Sequence, residues 1–286
     1  MIDMISCEQI APKTSPWSAT DYKSKLKPIW CPGCGDFSVL MAVTKAMEAL
    51  QLAPKDLAVV SGIGCSSRIP AYTSCYGFHG VHGRSLPVAA GLKAARPDLT
   101  VLCTGGDGDG FSIGGNHFMH ACRRNLDITY VVMDNQVYGM TKGQASPTTA
   151  PDWDNPLTPG GTGISPFFPL VIALAAGANF LARGFSGDPE GTAHIIKQAI
   201  EYPGFSFVHV LSPCVTYRPE QKEWRNMVRP SPVEATTDSA RAARRLMTDD
   251  GFNIGVLFRG DRQPFNLHHG ASKAASSYDF GAQFEI

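Results

Sequence analysis

Apolar residues fall along this chain in two arrangements, at helical intervals and in short unbroken runs, and the two alternate. Phe37, Leu40, Met41, Met47 and Leu50 recur at the helical period behind Asp36, which reads as the N-cap. Leu57 to Ser61 is an apolar run of strand length, followed by a glycine-rich loop and a helical stretch from Ser85 to Ala95 that Pro97 stops. The alternation then repeats. Leu99 to Cys103 predicts a strand, Ser112 to Arg123 a helix and Ile128 to Met133 a strand. Pro169 to Phe180 and Pro189 to Glu201 predict helices, and Phe205 to Leu211 a further strand. Beyond Pro230 the pattern weakens to a helix over Ser239 to Met247 and a strand over Phe252 to Phe258.

Strands that are apolar on both faces must be covered on both faces, so this order predicts an α/β fold, a doubly wound, mostly parallel sheet with helices on either side. Thr141 to Pro166, rich in Pro, Thr and Gly, is too polar for a core and reads as an active-site loop. The tail from Gly260 to Ile286 suits either a disordered segment or one that wraps a partner.

Composition narrows the function. Among 286 residues, Lys plus Arg and Asp plus Glu each number 25, so no basic surplus supports counterion-driven nucleic-acid binding. With 43% hydrophobic and 17% charged residues the chain predicts a compact globule. Its most apolar stretch, Phe167 to Leu181, is broken by Pro169, Gly177 and Asn179 and falls short of the roughly 20 residues a bilayer needs. Met1 to Lys13 lacks the basic run and apolar core of a secretory signal, which predicts a cytoplasmic protein. Thiols stay reduced there, so the eight cysteines read as core residues, metal ligands or catalysts.

Ligands bind outside the carboxyl ends of parallel strands. At that edge Leu99 to Cys103 runs into Thr104-Gly105-Gly106-Asp107-Gly108-Asp109-Gly110. The glycines permit close approach of an anion, and the two carboxylates would repel a bare phosphate. Together they point to a cation between protein and phosphate, most simply Mg²⁺ with its preference for hard oxygens. A calcium EF-hand loop fails here, because positions 111 and 118 are both Phe. A dinucleotide fingerprint is weak from Gly106, and also from Gly62, where Ser67 stands in place of Gly or Ala. The next strand ends in Asp134-Asn135-Gln136-Val137-Tyr138. Gly106-Asp107-Gly108, then 26 residues, then Asn135, resembles the thiamine diphosphate motif. That resemblance implies that Asp107, the Asn135 side chain and the Val137 carbonyl hold Mg²⁺. It also gives Gly64, Cys65, Ser66, Gly106, Gly108, Asp109, Tyr138 and Gly139 to the cofactor.

A second motif, Trp30-Cys31-Pro32-Gly33-Cys34-Gly35, could be a zinc half-site or a redox dithiol. Cys65 and Cys214 each follow a predicted strand and emerge at the same edge, so four thiols could converge, suiting either zinc or an iron-sulfur cluster. Cys103 and Cys122 read as core; Cys7 and Cys75 have no placed context. The cysteine and glycine motifs, with His82-Gly83-Arg84, Ile113-Gly114-Gly115-Asn116-His117, Arg123-Arg124-Asn125, Tyr138-Gly139-Met140-Thr141 and Ser212-Pro213-Cys214, resemble the β subunits of 2-oxoacid:ferredoxin oxidoreductases. The likeness runs from about residue 27 to 220.

The family resemblance implies that Cys31, Cys34, Cys65 and Cys214 bind a 4Fe-4S cluster. It implies oxidative decarboxylation of a 2-oxoacid, with the acyl group passed to coenzyme A and electrons to ferredoxin, and the reverse carboxylation. It also implies a partner α subunit that carries the pyrimidine-binding domain and its activating Glu. Arg68, Lys142 and His82 are the candidates at the reacting end; many relatives have Gly where Lys142 stands, and an added cation suits a dicarboxylate such as 2-oxoglutarate. Pyruvate or a broad 2-oxoacid range stands behind it. The expected organisation is an arm over 1 to 26, the cofactor and cluster domain over 27 to 220, and an extension over 221 to 286 for subunit contacts. Two other readings, a non-oxidative thiamine decarboxylase or ligase subunit and a zinc-bound scaffold without catalysis, predict a colourless protein.

Overall fold

The structure is a computed structural model describing residues 15 to 265. Cys7 in the expected arm, and the tail from residue 266 with His268 and His269, lie outside the described residues. Eight strands form one sheet: β1 Leu57–Ser61, β2 Tyr76–His79, β3 Thr100–Gly106, β4 Thr129–Asp134, β5 Phe180–Phe185, β6 Ser206–Leu211, β7 Arg229–Pro230 and β8 Asn253–Arg259. Their order is β2-β1-β3-β4-β6-β5-β8-β7. All neighbours pair in parallel except β5 with β8, which are antiparallel. The expected doubly wound α/β sheet is the fold observed.

Side-chain alternation explains why both faces are covered. Val101, Cys103, Tyr130, Val132 and Phe207 point to one face, where they meet Leu86 of α2 (Ser85–Ala95), Phe118 of α4 (Gly115–Arg124), Leu170 of α5 (Pro169–Ala175) and Leu246 of α8 (Ser239–Thr248), the helix that follows the short α7 (Trp224–Met227). Leu102, Val131, Met133, Val208 and Val210 point to the other face, against Val43 and Met47 of α1 (Asp36–Leu50) and Ile196 of α6 (Pro189–Glu201). Cys103 and Cys122 are core, as expected.

The differences from the sequence reading have local causes. The run from Pro169 to Phe180 is two elements, because Gly177 takes a left-handed φ of +88° that stops α5 and releases Phe180 into β5. Strand β2 escaped notice because it is an exposed edge with no buried face. The helix expected from Ser112 is preceded by a short one, α3 (Asp107–Phe111), and α4 starts at Gly115. Asp36 is not the N-cap: Gly35 takes that position, and the Asp36 carboxylate turns inward. The chain leaves β1 toward β2 on one side and returns as β3 on the other, so the loops after β1 and β3 part at a topological switch point.

Candidate functional site

That parting opens a pocket of about 560 Å³ at the carboxyl ends of β1, β3 and β4. Its wall brings together Gly64, Cys65, Ser66, His82, Gly106, Asp107, Gly108, Asp109, Asn135, Val137, Tyr138 and Gly139. Gly108 admits no side chain, because a Cβ would strike the Tyr138 ring, whose hydroxyl donates to the Gly108 carbonyl at 3.2 Å. Gln136 adopts a left-handed φ of +56° directly after β4. This turn lets the Asn135 Oδ1 accept the Val137 N–H at 3.1 Å and keeps both residues on the pocket wall.

The two carboxylates of the glycine loop do different work. Asp109 Oδ1 accepts from the Ile63 N–H at 2.9 Å, the Gly83 N–H at 2.7 Å and His82 Nδ1 at 2.8 Å. It therefore pins the loops that follow β1 and precede α2, while its Oδ2 is buried with no hydrogen-bond partner. Asp107 is buried and accepts from Ser146 Oγ and, at 2.8 Å, from Thr148 Oγ1. Thr148 Oγ1 also lies 2.8 Å from Asp134 Oδ1. One hydroxyl hydrogen cannot serve both carboxylates, so one of the two contacts needs a proton on a carboxyl group. Burial, and then the neighbouring Asp134 charge, push Asp107 well above the usual carboxylate range. A divalent cation is the partner that lets such a pair ionise together, and the hard oxygens of Asp107 and Asn135 suit Mg²⁺.

Sequence reasoning missed the support behind Asp107. Asp134 Oδ2 contacts His209 Nε2 at 2.8 Å, and His209 Nδ1 lies 3.5 Å from Arg183 Nε. Arg183 pairs with Asp249 and donates to the Asn253 carbonyl at 3.0 Å, tying the chain after α8 to the same edge. The only advance signal was a carboxylate at the end of an apolar strand.

The thiols sit beside the pocket. The Cys34 N–H donates to the Cys31 carbonyl at 3.0 Å, the Gly35 N–H to the Pro213 carbonyl at 3.3 Å, and Trp30 Nε1 to the Cys65 carbonyl at 2.8 Å. Three separate segments are thereby laced together. Burial first, then Asp36 and the other thiols, push Cys34 far up; the same causes push Cys65 up to about 11, against a small pull from Arg68. Cys65 feels Cys214 and Cys31, and Cys34 feels Cys65 and Cys214, so all four thiols share one electrostatic neighbourhood. Four sulfur donors from three loops suit an iron-sulfur cluster in their chemistry. Among the described residues no group of three or more His, Cys, Asp or Glu side chains is gathered to hold one metal ion.

A buried amide joins the two regions. Gln221 Nε2 donates to the Asn135 carbonyl at 2.8 Å, while its Oε1 accepts the Cys214 N–H at 2.9 Å. Arg68 and Lys142 lie outside the pocket wall: Arg68 is half-buried next to Cys65, and Lys142 is exposed, with a left-handed φ of +85°. His79 and His117 are also off the wall; His79 Nδ1 lies 2.7 Å from the Ser67 carbonyl. No helix among the described residues is long and apolar enough to cross a membrane.

Comparison with known proteins places this geometry. Residues 62–210 match the family described as thiamine pyrophosphate enzyme, C-terminal TPP binding domain. The chain is 39% identical over 254 residues to an Aeropyrum pernix protein named 2-oxoacid:ferredoxin oxidoreductase 2, subunit beta, which covers 83% of this chain and 82% of that one. It is 42% identical over 199 residues to the Mycobacterium tuberculosis protein named 2-oxoglutarate oxidoreductase subunit KorB, covering 70% of this chain and 53% of that relative. A solved structure of 2-oxoglutarate:ferredoxin oxidoreductase from Magnetococcus marinus, with 2-oxoglutarate, coenzyme A and succinyl-CoA bound, matches with a TM-score of 0.85. The identity is 41%, with 89% of each chain covered.

Proposed function

The chain belongs to the β subunits of the 2-oxoacid:ferredoxin oxidoreductases, and on that premise we propose that it carries the thiamine diphosphate and cluster half of a 2-oxoglutarate-type enzyme. The reaction is 2-oxoglutarate and coenzyme A giving succinyl-CoA and CO₂, with two electrons passed singly to ferredoxin, and its reductive reverse. The observation that carries the reading is the double position of Cys65, which lines the pocket and lies in electrostatic reach of Cys31 and Cys214. A cofactor in the pocket would have the cluster as its neighbour.

In this reading Asp107, the Asn135 side chain and the Val137 carbonyl would hold Mg²⁺, which would neutralise the charge of a diphosphate in the pocket they share with Gly106 and Gly108. Asp109 fixes the loops on either side, with His82 held toward the pocket by the same carboxylate. Cys31, Cys34, Cys65 and Cys214, all free thiols, would ligate the 4Fe-4S cluster. Thiamine diphosphate supplies a nucleophilic carbon for the 2-oxoacid ketone and a sink for the electrons left as CO₂ departs. Ile63 and Met140 stand exposed beside the pocket, apolar surface suited to cover by an α subunit that brings the pyrimidine-binding domain and its Glu.

The test is anaerobic purification of the chain with its α subunit. Iron near four atoms per β chain, a brown colour and bleaching on addition of 2-oxoglutarate with coenzyme A are expected. Zinc without iron overturns the oxidoreductase reading, and full turnover by this chain alone overturns the divided site. For the substrate, Lys142→Ala is expected to lower the efficiency with 2-oxoglutarate relative to pyruvate by about tenfold, the worth of one exposed charge-assisted contact. An unchanged ratio removes Lys142 as a selector.

A further inference from the structure

We infer that the chain from Lys23 to Ile29 is the docking surface for an acidic protein electron carrier, which settles beside Cys31 and is held by Lys23, Lys25 and Lys27. The inference rests on the cluster assignment proposed above and says where that cluster's electrons leave.

The four thiols are not equally placed. Cys65 lines the pocket, whereas Cys31 is exposed and Cys34, Cys65 and Cys214 are only partly so. A cluster on these thiols would face the thiamine site through Cys65 and solvent through Cys31. Electrons would enter on the Cys65 side and leave on the Cys31 side.

The segment before Cys31 is fixed by bonds to the chain that follows Cys65. Lys23 pairs with Thr73 in an antiparallel bridge, the Ser24 N–H donates to the Tyr72 carbonyl at 3.0 Å, and Ser74 Oγ donates to the Lys23 carbonyl at 2.7 Å. At its other end the Ile29 N–H donates to the Tyr72 hydroxyl at 3.2 Å. Trp30, whose Nε1 holds the Cys65 carbonyl, packs edge-on against the Tyr72 ring with centroids 4.9 Å apart. Four residue steps keep the Lys27 and Cys31 Cα atoms within about 14 Å of each other. A strip already ordered beside the exposed thiol loses little conformational entropy when a partner settles on it.

Charge selects the partner. The whole chain is balanced at 25 cations and 25 anions, but the thiol-bearing segments are not. Tyr22 to Gly35, Gly62 to His79 and Pro213 to Pro219 hold Lys23, Lys25, Lys27, Arg68 and Arg218 and no Asp or Glu. Of the acids that flank them, Asp21 is half-buried, Asp36 is buried and Glu220 pairs with Arg218. Among the described residues the lysines in ion pairs are Lys45, Lys93 and Lys197, so exposed Lys23, Lys25 and Lys27 keep their charge for a partner. Leu26 and Ile29 stand between and beside them, 61% and 67% exposed. Apolar contact flanked by cations suits a charge-steered encounter of the small class, below about 1,200 Å², that electron-transfer partners use. Each docking moves one electron from the reduced cluster to the carrier, oxidising the one and reducing the other, with no bond or proton exchanged. Two dockings clear the pair left by each decarboxylation.

The experiment is calorimetric titration of the anaerobic αβ holoenzyme with an oxidised, acidic two-cluster ferredoxin of the bacterial type, at low and at physiological salt. Wild-type binding is expected to weaken as salt is added, since exposed charges more than about 10 Å apart are screened at 0.1 M. Lys23→Gln/Lys25→Gln/Lys27→Gln is expected to weaken binding at low salt by about tenfold or more and to flatten the salt dependence. Lys23→Arg/Lys25→Arg/Lys27→Arg, which keeps the charges, is expected to stay within about twofold of wild type. Carbodiimide cross-linking of the wild-type complex, read by mass spectrometry, is expected to join ferredoxin carboxylates to lysines of the strip. Unchanged affinity in the glutamine variant, with full iron and wild-type reduction of methyl viologen, overturns the inference, and so do cross-links confined to other lysines. If the glutamine variant no longer assembles with the α subunit, the strip is that subunit's contact and the inference falls. A wild-type holoenzyme without iron near four atoms per β chain defeats the cluster assignment instead, a result separable from all of these.

Discussion

The glycine and carboxylate pocket after β3 and β4 and the thiol nest beside it lie on one sheet edge but are held by different bonds. In the pocket, side chains are spent on protein partners before any ligand arrives: Asp109 takes three donors and Asp107 two hydroxyls. In the nest, the bonds that gather the segments run mostly to backbone carbonyls, and burial raises the Cys34 and Cys65 thiols, with Arg68 pulling against it on Cys65. A cradle shaped by its own hydrogen bonds can form empty. Thiols that must lose protons to become ligands gain stability from a bound metal, so in the proposed reading a cluster would add folding free energy to the loops around it.

Two substitutions break the comparison at its widest point. Cys65→Ser is expected to abolish ferredoxin reduction and cost most of the iron, while Mg²⁺-dependent thiamine diphosphate binding, followed by tryptophan fluorescence, weakens by no more than about tenfold, the low end for an outer contact. Loss of cofactor binding along with the iron would make pocket and nest one unit. Asp107→Ala is the mirror case. Iron should stay at the wild-type level while cofactor affinity falls by about 100-fold or more, since a ligand and an anchor for two hydroxyls are removed together. Iron loss in Asp107→Ala would contradict the independence of the nest.

How much of this was legible in advance follows the same division. Leu57–Ser61, Ser85–Ala95 and Pro189–Glu201 match their predicted bounds because turn residues and proline punctuate them locally. The pocket glycines, Asp107 and Asn135 were visible because two contiguous motifs at strand ends carry them. Ser146 and Thr148 were not, since their contacts with Asp107 span 39 and 41 residues and only the folded chain brings them there. Asp36 was misread because a cap rule looks one turn ahead, whereas its partner Ser212 is 176 residues away. Arg68 and Lys142 were assigned to the reacting end by proximity in sequence to pocket residues, and their side chains stand off the wall.

Gln221 offers the smallest change and the sharpest, because it is the one side chain that touches both regions by hydrogen bonds already described. Its amide is buried, its nitrogen on the Asn135 carbonyl and its oxygen on the Cys214 N–H. Gln221→Met fills similar volume without donor or acceptor, leaving two partly buried backbone groups without their partner at a cost of about 1 to 2 kcal/mol. Both neighbours carry a proposed ligand, so each should loosen together: cofactor affinity about tenfold weaker and iron release by a chelator about tenfold faster, the usual scale for an outer contact. Equal changes in the two readouts identify the amide as the coupling between pocket and nest. A change in one alone assigns it to that side, and wild-type values in both would mean that the two regions meet only through the sheet beneath them.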